Sequence, residues 1–403
     1  MKRSYLDIWV KEIENLTKLE REDIEKLQLD RLNTLLEKEK RRGGFYGRLP
    51  SSLTSLADLA ALPFTSASDL MAYGGSMMLV SQSDVQRVLT STTSGTTGEA
   101  KRVFYTPKDC KNTISFFAAG LSEMVSHGSR TMICMPFSGP FGLGELICAA
   151  IESLGATPIQ AGVSRTYGEL CGILREEKPD TYVGMPAHLL AMLKYCGKGS
   201  LQRALVSGDA CVTPVLDALE KRLGTKLFPH YGSREMGLGG AVTCPAHEGM
   251  HLRENHVIAE IVDGNGNVLP DGEYGELVIT TIGMEAMPLI RYRTGDYTRK
   301  LKVPCLCKSW LTRIDSIERK GASSDILALD KALLGLDNVV DFKAVQKDDT
   351  VVIEALTLWK TQGRCLEEAV RSALPGIKVR ATERLCEKSD VPLYAGKRKI
   401  IEA

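Results

Sequence analysis

The segment from Ser91 to Thr106, "STTSGTTGEAKRVFYT", has the composition of an anion-binding loop. Two glycines and six hydroxyl residues precede Lys101 and Arg102. The flanking stretches "DVQRVLT" and "RVFYT" are rich in β-branched and aromatic residues, which predicts a loop between two strands. Glycines let backbone N–H groups approach an anion, and hydroxyls add donors. We therefore predict a polyphosphate ligand, and the alternative from composition alone is a solvated hairpin tip.

This loop is not the nucleotide-binding P-loop. That motif has four residues between its glycines and a Lys-Ser or Lys-Thr pair directly after the second one. Here Gly95 and Gly98 enclose only Thr96 and Thr97, and neither Lys-Ser nor Lys-Thr follows. A strand pattern follows instead of a helix, so any phosphate loop here is of another kind.

Three other stretches place a charged residue beside a glycine or in a turn. Glu235 in "HYGSREMG" follows a predicted strand, where a carboxylate can hold Mg²⁺, a cation that prefers oxygen ligands. Asp296 in "RYRTGDYTR" lies in a tight turn and can accept both hydroxyls of a ribose. Lys397 follows a glycine in "LYAGKRKIIEA". Taken singly, each stretch also fits an ordinary surface turn or a solvated tail.

The composition predicts a globular protein of the cytoplasm. Hydrophobic residues make up 43% and charged residues 25% of the chain, as in ordinary soluble domains. The net charge of +1 argues against a nucleic-acid partner. No apolar run approaches the roughly 20 residues that cross a bilayer, and the charged start "MKRSYLDIWVKEIENL" is unlike a signal peptide. Eleven cysteines, spread widely, favour a reducing compartment over a disulfide framework. The sequence leaves a homodimer open.

Alternating strand and helix signals predict an α/β fold with parallel sheets flanked by helices. Short apolar runs such as "RTMICMP" and "RALVSGDA" alternate with helix signals such as "VTPVLDALEKRLG". Ligands bind beyond the carboxyl ends of such strands, where "SGDA" and "YGSREMG" lie. Period-two alternation broken by Asn-Gly and Asp-Gly turns predicts an antiparallel subdomain over about 240–314. We place a large domain at 1–314 and a small α+β domain at 315–403.

In this order, the stretches resemble the motifs of the adenylate-forming superfamily of acyl-CoA synthetases, luciferases and peptide-synthetase adenylation domains. The resemblance is closer to the branch of phenylacetate-CoA ligases and coenzyme F390 synthetases. "SGTTGEAKRVFYT" resembles the phosphate loop, "SGDA" the adenine-contacting strand end and "YGSREMG" the magnesium-glutamate turn. "EAMPLIRYRTGDYTR" resembles the ribose-aspartate motif and "GKRKI" the C-terminal lysine motif. The lead-in "GGFYGRLPSSLTSLADLAALPFTSASDL" is also similar, so the resemblance spans nearly the whole chain.

The resemblance implies a ligase that uses ATP to activate a carboxylic acid as an acyl-adenylate, releases pyrophosphate and transfers the acyl group to coenzyme A. It implies that Glu235 holds Mg²⁺ across phosphate oxygens and that Asp296 fixes the ribose, with Arg313 nearby. Lys397 would place a positive charge at the bridging oxygens, and Lys101 is a weaker candidate for the leaving pyrophosphate. The other implied nucleotide-binding positions are Ser94, Gly95, Thr96, Thr97, Gly98, Gly208, Asp209, Ala210, Tyr231, Gly232 and Ser233.

The stretch that joins the two predicted domains departs from the family pattern. The family reads Gly-Arg-x-Asp-Asp, and its first aspartate is the hinge about which a mobile small domain rotates. Here "TRIDSIERKG" keeps Arg313 and Asp315, whereas Thr312 and Ser316 replace the glycine and the second aspartate. Rotation at Asp315 stays feasible because a hinge residue need not be small. Thr312, however, allows a narrower range of backbone dihedral angles than the glycine of the family pattern.

Cys244, His251, Cys305 and Cys307 have the residue types of a closed tetrahedral zinc site. The Cys-x-Cys spacing is tighter than usual, His247 is a rival ligand, and buried free thiols are the alternative. The phenylacetate-CoA ligase branch is similar here, with a cysteine, a histidine before a "WEDH"-like stretch and a later cysteine pair. This resemblance favours a structural Zn²⁺.

The acid pocket is predicted from "PFSGPFGLG", "VGMPAH" and "SGDA", with Phe137, Phe141 and His188 as walls. Small and aromatic residues together suit an aryl or short acyl group, and the alternative is that these side chains are core. Two other functions stay open: transfer of the acyl group to the phosphopantetheine thiol of a carrier protein, and nucleotide binding without turnover. The joint presence of the candidate acidic and basic site residues argues against the last.

Overall fold

A computed structural model describes residues 3–91, 101–319, 324–361, 365–394 and 396–402. Its helices are α1 Tyr5–Ile13, α2 Arg21–Arg42, α3 Ala67–Met77, α4 Pro107–Leu121, α5 Leu143–Ser153, α6 Tyr167–Glu176, α7 Pro186–Cys196, α8 Thr213–Leu223, α9 Ser324–Leu329 and α10 Cys365–Ala373. Its strands are β1 Arg87–Ser91, β2 Lys101–Tyr105, β3 Arg130–Cys134, β4 Thr157–Gln160, β5 Thr181–Gly184, β6 Arg203–Val206, β7 Phe228–Tyr231, β8 Ala241–Val242, β9 Met250–Leu252, β10 Val257–Val262, β11 Gly275–Thr281, β12 Tyr292–Thr298, β13 Arg313–Ile314, β14 Glu318–Arg319, β15 Val339–Lys347, β16 Thr350–Thr357, β17 Lys378–Leu385 and β18 Ile401–Glu402. The chain forms two compact units, Met1–Glu123 with His230–Glu318 and Met124–Pro229 with Arg319–Ala403.

The first unit contains the helical N-terminus and three sets of antiparallel strands. β1 and β2 form a hairpin that pairs Ser91 with Lys101, as predicted for the strands beside the glycine-rich loop. β10, β11, β12 and β14 form a sheet in that order. β8 pairs with β9 and with the end of β7, and β9 also pairs with β13. The antiparallel strands predicted from the period-two alternation are therefore confirmed.

The second unit contains the predicted parallel sheet. β4, β3, β5, β6 and the start of β7 lie in that order, and every pair is parallel. Helices α5 to α8 connect these strands, as expected for parallel neighbours, and every residue of β5 is buried. The same unit holds a second sheet in the order β17-β16-β15-β18, in which only the β15–β16 pair is antiparallel. The α/β fold class is confirmed, while the domain boundary at Asp315 stays a prediction.

One disulfide departs from the expectation of free thiols. It joins Cys171 of α6 to Cys196 of α7, two neighbouring helices of the second unit. Their spacing of 25 residues carries no signal that they meet, because the pairing depends on how the helices pack. Among the residues whose side chains the structure describes, the free thiols are Cys110, Cys134, Cys148, Cys211, Cys244, Cys305, Cys307 and Cys386. Within the described ranges, no helix has both the length and the apolar character needed to cross a membrane.

Candidate active site and metal cluster

The turn after β7 holds Glu235 in a buried position. A Cβ at Gly232 would lie 2.1 Å from the carbonyl oxygen of Leu238, so no larger residue fits there. Gly237 has a φ of +74°, a conformation that glycine adopts without steric cost. The two glycines thus allow the tight turn, and Glu235 is only 7% exposed.

Glu235 forms an ion pair with Lys101 and lies beside Tyr292. Lys101 Nζ is 2.5 Å from Glu235 Oε1 and donates to the Tyr292 hydroxyl oxygen at 3.2 Å. The Tyr292 hydroxyl is 3.4 Å from Glu235 Oε1. Burial alone would raise the pKa of Glu235, but Lys101 holds this pKa below its usual value. The carboxylate is therefore ionised at neutral pH and offers the oxygen ligands that Mg²⁺ prefers.

Asp296 lies in a bulge of β12 and contacts Tyr231. Between residues 293 and 297, β12 advances four positions while its partner β11 advances two. Gly295 in this bulge has a φ of +73°, and bulges commonly re-aim side chains beside functional sites. The Tyr231 hydroxyl donates to Asp296 Oδ2 at 2.8 Å, and the Asp296 N–H donates to Thr294 Oγ1 at 3.0 Å. Two predicted nucleotide-binding residues are thus in direct contact.

In the second unit, the strand end after β6 and the C-terminal lysine motif meet at Asp209. Gly208 has a φ of +84°, which turns the chain after the strand. Asp209 Oδ1 accepts the Ala210 N–H at 2.9 Å, and Asp209 Oδ2 accepts the Arg398 N–H at 2.8 Å. Lys397 directly precedes this amide and is exposed. The structure therefore brings the "SGDA" and "GKRKI" stretches together.

Arg398 and Tyr292 are site residues that the sequence reasoning missed. The guanidinium of Arg398 is buried, and it donates from Nε to Asp330 Oδ1 and from Nη1 to Asp341 Oδ1, both at 2.8 Å. Because two carboxylates compensate its burial, this side chain fixes the backbone next to Lys397. Arg398 lies inside the motif "GKRKI" and Tyr292 inside "RYRTGDYTR", and this position within the motifs is the signal in the sequence that could have found them.

The three predicted pocket walls all lie in the second unit. A Cβ at Gly144 would lie 2.8 Å from the Phe137 ring, and Phe141 is half-buried with a φ of +64°. His188 is 5% exposed, and neither ring nitrogen has a hydrogen-bond partner among the described residues. Burial lowers the pKa of His188 to about 4, so the ring is neutral at pH 7. His188 lines a small cavity with Asp209, whereas the two phenylalanines do not line it.

The hydroxyl-rich loop itself falls outside the described residues. Ser94, Gly95, Thr96, Thr97 and Gly98 all belong to it, so their phosphate-binding role stays a prediction. The described strands on both sides end close together, and Lys101 at the start of β2 reaches Glu235. A ligand held by the loop would thus lie near this ion pair.

Arg313 is placed beside the cysteine-rich loop. Its guanidinium donates to the carbonyl oxygens of Glu248 and Val303 and lies 3.6 Å from the Glu248 carboxylate. On β13, Arg313 also pairs with His251 of β9. These contacts indicate a structural role, and its predicted position near the ribose stays a prediction.

Four buried residues, Cys244, His251, Cys305 and Cys307, form a compact cluster in the first unit. Their four potential ligand atoms lie within 4.8 Å of one another. The sulfurs of Cys244 and Cys305 are 3.6 Å apart, and Cys307 Sγ is 3.3 Å from His251 Nε2. A tetrahedral zinc with Zn–S bonds of about 2.3 Å would separate two sulfurs by about 3.8 Å, so the spacing fits. His247, the rival ligand, is not a member of this cluster.

The hydrogen bonds of the cluster orient the His251 ring for metal binding and ionise one of the thiols. His251 Nδ1 is 3.1 Å from the Leu311 carbonyl oxygen, so Nδ1 carries the proton and Nε2 faces the sulfurs. The hydrogen bond between Cys244 and Cys307 lowers the pKa of Cys307 and raises that of Cys244. Although burial opposes it, hydrogen bonding with Cys305 and Cys307 raises the pKa of His251 to about 9, so a bound cation must displace protons from Cys244 and His251. A thiolate is the form of cysteine that binds metal. The four residues thus fit a closed site for a soft divalent cation such as Zn²⁺.

Comparison with known proteins agrees with the motifs and the fold. The model of the AMP-binding enzyme family matches residues 83–286, half of the chain. The phenylacetate-coenzyme A ligase of Aromatoleum evansii is 33% identical over 310 residues, which cover 72% of this chain and 69% of that protein. The Thermus thermophilus enzyme of the same name is 30% identical over 335 residues, or 78% and 74% of the two chains. A crystal structure of 2-hydroxyisobutyryl-CoA ligase superposes with a TM-score of 0.72 at 17% identity, covering 94% of this chain and 89% of the other.

The fold and these relatives define an adenylate-forming ligase, which joins a carboxylic acid to coenzyme A with ATP, through an acyl-adenylate. The chain belongs to the family of AMP-binding enzymes, in its phenylacetate-CoA ligase-like branch.

Proposed function

We propose that this protein activates an aromatic carboxylic acid of the phenylacetate type and transfers the acyl group to coenzyme A. The name of its relatives supports the acid class, as do the aromatic walls predicted for the pocket. The assignment of the site depends on contacts between separate motifs. Lys101 forms an ion pair with Glu235, and Tyr231 donates a hydrogen bond to Asp296.

The first half-reaction is attack of the acid's carboxylate on the α-phosphorus of ATP, with pyrophosphate as the leaving group. Two anions must approach each other, so the protein's task is to position them and to neutralise charge. Asp296, oriented by Tyr231, is suited to accept the ribose hydroxyls. Lys101, at the end of the predicted phosphate loop, is suited to contact the outgoing pyrophosphate.

Mg²⁺ is part of this proposal because the buried carboxylate of Glu235 is a suitable ligand for it. Bound there with ATP, the ion would screen the negative charge of the phosphates. Lys101 now neutralises Glu235, and both groups would have to rearrange when the cation and the phosphates arrive. Tyr292 contacts both residues and would keep them oriented.

Lys397 is the proposed source of positive charge at the bridging oxygens. Its backbone is held by the Asp209 contact and by the buried Arg398 anchor, while its own side chain is exposed. A lysine on a fixed backbone with an exposed side chain can reach a ligand beside the strand end. Because the backbone of Lys397 is already fixed, less conformational entropy is lost when its side chain binds the ligand.

A structural Zn²⁺ in the cluster of Cys244, His251, Cys305 and Cys307 completes the proposal. Four protein ligands leave no open position, which fits a structural and not a catalytic metal. The ion would tie the loop after β8 to the segment after β12, which is the strand that carries Asp296. It would thus stabilise the antiparallel subdomain without taking part in the chemistry.

The experiment that tests the function is a screen of acids by pyrophosphate release, with coenzyme A present and absent. We expect phenylacetate and close aryl analogues to give release and, with coenzyme A, an aryl-CoA product. Short aliphatic acids serve as the matched comparison. Preference for an aliphatic acid would refute the acid class, and transfer only to a phosphopantetheinylated carrier protein would refute the acceptor.

A further inference from the structure

The first unit contains a large cavity that none of the ATP-contacting residues proposed within the described ranges lines. Its volume is 1320 Å³, and its walls include α2, the start of α4 and the segment before β10. Strand β2 runs from Lys101 to Tyr105, and Thr106 then lines the cavity. At about 3.3 Å per residue, this places Thr106 about 17 Å from Lys101 along the strand. Neither Lys101 nor Glu235 lines the cavity.

Arg253 is buried at the wall of this cavity with unsatisfied donors. It is 2% exposed, and its Nη2 donates to the Asn112 carbonyl oxygen at 2.9 Å. Its guanidinium lies 4.9 Å from the centre of the Phe116 ring and 5.4 Å from that of Trp9. Among the described residues, Nε and Nη1 have no hydrogen-bond partner, and no carboxylate forms an ion pair with this side chain. Burying a guanidinium without an ion pair and with unsatisfied donors costs free energy of folding, and buried charges are therefore normally paired.

The rest of the cavity adds positive charge and further unsatisfied polar atoms. Asn255 Oδ1 and His256 Nε2, both in buried residues of the wall, also have no hydrogen-bond partner within the described ranges. Six basic residues line the cavity, Arg31, Lys38, Arg41, Arg42, Lys108 and Arg253, against three acidic residues, Glu14, Asp84 and Glu285. Three of the six form ion pairs, Arg31 with Glu14, Lys108 with Glu285 and Arg41 with Glu37, so the excess comes from Lys38, Arg42 and Arg253 against Asp84. Apolar side chains such as Leu35, Ile282 and Met284 complete the lining. The cavity thus combines an excess of positive charge with an apolar surface.

We propose that this cavity is a second binding site, for a phosphate-bearing organic anion with an apolar or aromatic body. The free donors of Arg253 would bind the phosphate oxygens, since guanidinium–phosphate hydrogen bonds are among the strong ones. The excess of cations suits a dianion better than a singly charged carboxylate. The apolar surface would contact the body of the ligand. This site goes beyond the proposed function, because acid activation does not require it.

Isothermal titration calorimetry of the full-length chain with phenyl phosphate tests this site. We expect saturable binding that Arg253→Gln weakens at least tenfold, because a hydrogen bond to a charged group is lost. Lys38→Gln, at an exposed position of the cavity wall, should weaken binding more modestly and does not endanger the fold. Arg175→Gln, at an exposed position of the other unit, is the matched control and should change nothing.

Two further binding measurements distinguish this site from the adenylating site and test whether the ligand is a phosphate. Asp296→Ala should leave phenyl phosphate binding intact, since Asp296 does not line the cavity. Benzoate should bind at least tenfold more weakly than phenyl phosphate. Binding that Asp296→Ala abolishes, or that Arg253→Gln and Lys38→Gln both leave unchanged, would overturn the site. Equal affinity for benzoate would overturn the phosphate class.

Discussion

Replacing Lys101 by methionine tests the ion pair on which the proposed magnesium site depends. The side chain of Glu235 is 9% exposed and that of Lys101 is 20% exposed, so the pair is largely shielded from water. Removing one partner of a buried pair typically costs 3–5 kcal/mol, and the partial exposure of Lys101 and the remaining Tyr292 hydroxyl reduce this to about 2–3 kcal/mol. We expect Lys101→Met to lower the free energy of unfolding by this amount at pH 8.

The pH dependence of this loss has a definite sign. In the wild type, Lys101 lowers the pKa of Glu235, so the pair stabilises the fold at neutral pH and loses this effect as the pH falls below about 4.5. In the variant, the effect of Lys101 no longer opposes that of burial, so the pKa of Glu235 is higher than in the wild type and the carboxyl group takes up a proton at a higher pH. The difference in stability between variant and wild type should therefore shrink from pH 8 to pH 5. Urea unfolding at both values measures it.

Two comparisons complete this test. The double variant Lys101→Met/Glu235→Gln should recover most of the lost stability, because it leaves no buried charge unpaired. Added Mg²⁺ should stabilise Lys101→Met more than the wild type, because the free carboxylate can take the cation. A double variant no more stable than the single one would refute the unpaired-charge reasoning. An equal response of both proteins to Mg²⁺ would refute Glu235 as the ligand.

Three more predictions concern separate parts of the molecule. Lys397→Ala should slow adenylate formation by about two to four powers of ten, while thioester formation from a supplied acyl-adenylate stays largely intact; equal loss in both half-reactions would contradict the assignment. Cys307→Ser should abolish one equivalent of copurifying zinc in elemental analysis and lower the melting temperature, whereas His247→Ala should retain the metal; a wild type without metal would contradict the site. Burial raises the pKa of Glu39 to about 7, so wild-type stability should fall as the pH rises from about 4.5 to 7. Glu39→Gln should remove this slope and raise the free energy of unfolding at pH 8, measured in urea, by about 3 kcal/mol. An unchanged slope would exclude Glu39 as its origin.

The sequence predicted the class of fold because the period of its apolar residues changes along the chain. Strand–helix alternation over 130–231 corresponds to the parallel sheet of the second unit, and the Asn-Gly and Asp-Gly turns after residue 262 correspond to the antiparallel sheet of the first. These signals are local, since each depends on a few neighbouring residues. The grouping of Arg319–Ala403 with Met124–Pro229 has no such signal, because it depends on packing between distant segments.

The same distinction applies to the candidate site. The turns that present Glu235 and Asp296 could be found from their glycines, which the backbone geometry requires. The residues that contact Glu235 and Asp296 could not be found from the sequence, because Tyr231 and Asp296 are 65 residues apart and Lys101 and Glu235 are 134 apart. Arg253 carried no signal at all. Its residue type and its neighbours in the sequence fit an ordinary surface arginine, and only the structure shows that it is buried and that two of its donors are unsatisfied.

Both proposed ATP-binding acids are already paired within the protein, and this has an energetic consequence. Glu235 is neutralised by Lys101, and Asp296 accepts a hydrogen bond from Tyr231. An unpaired buried carboxylate would cost several kcal/mol, so these partners stabilise the enzyme before its ligands arrive. Mg²⁺ and ATP must compensate for the contacts that they displace, which lowers the affinity of either one alone. Because Lys101 freed from Glu235 can then bind phosphate, we expect the cation and the nucleotide to bind cooperatively.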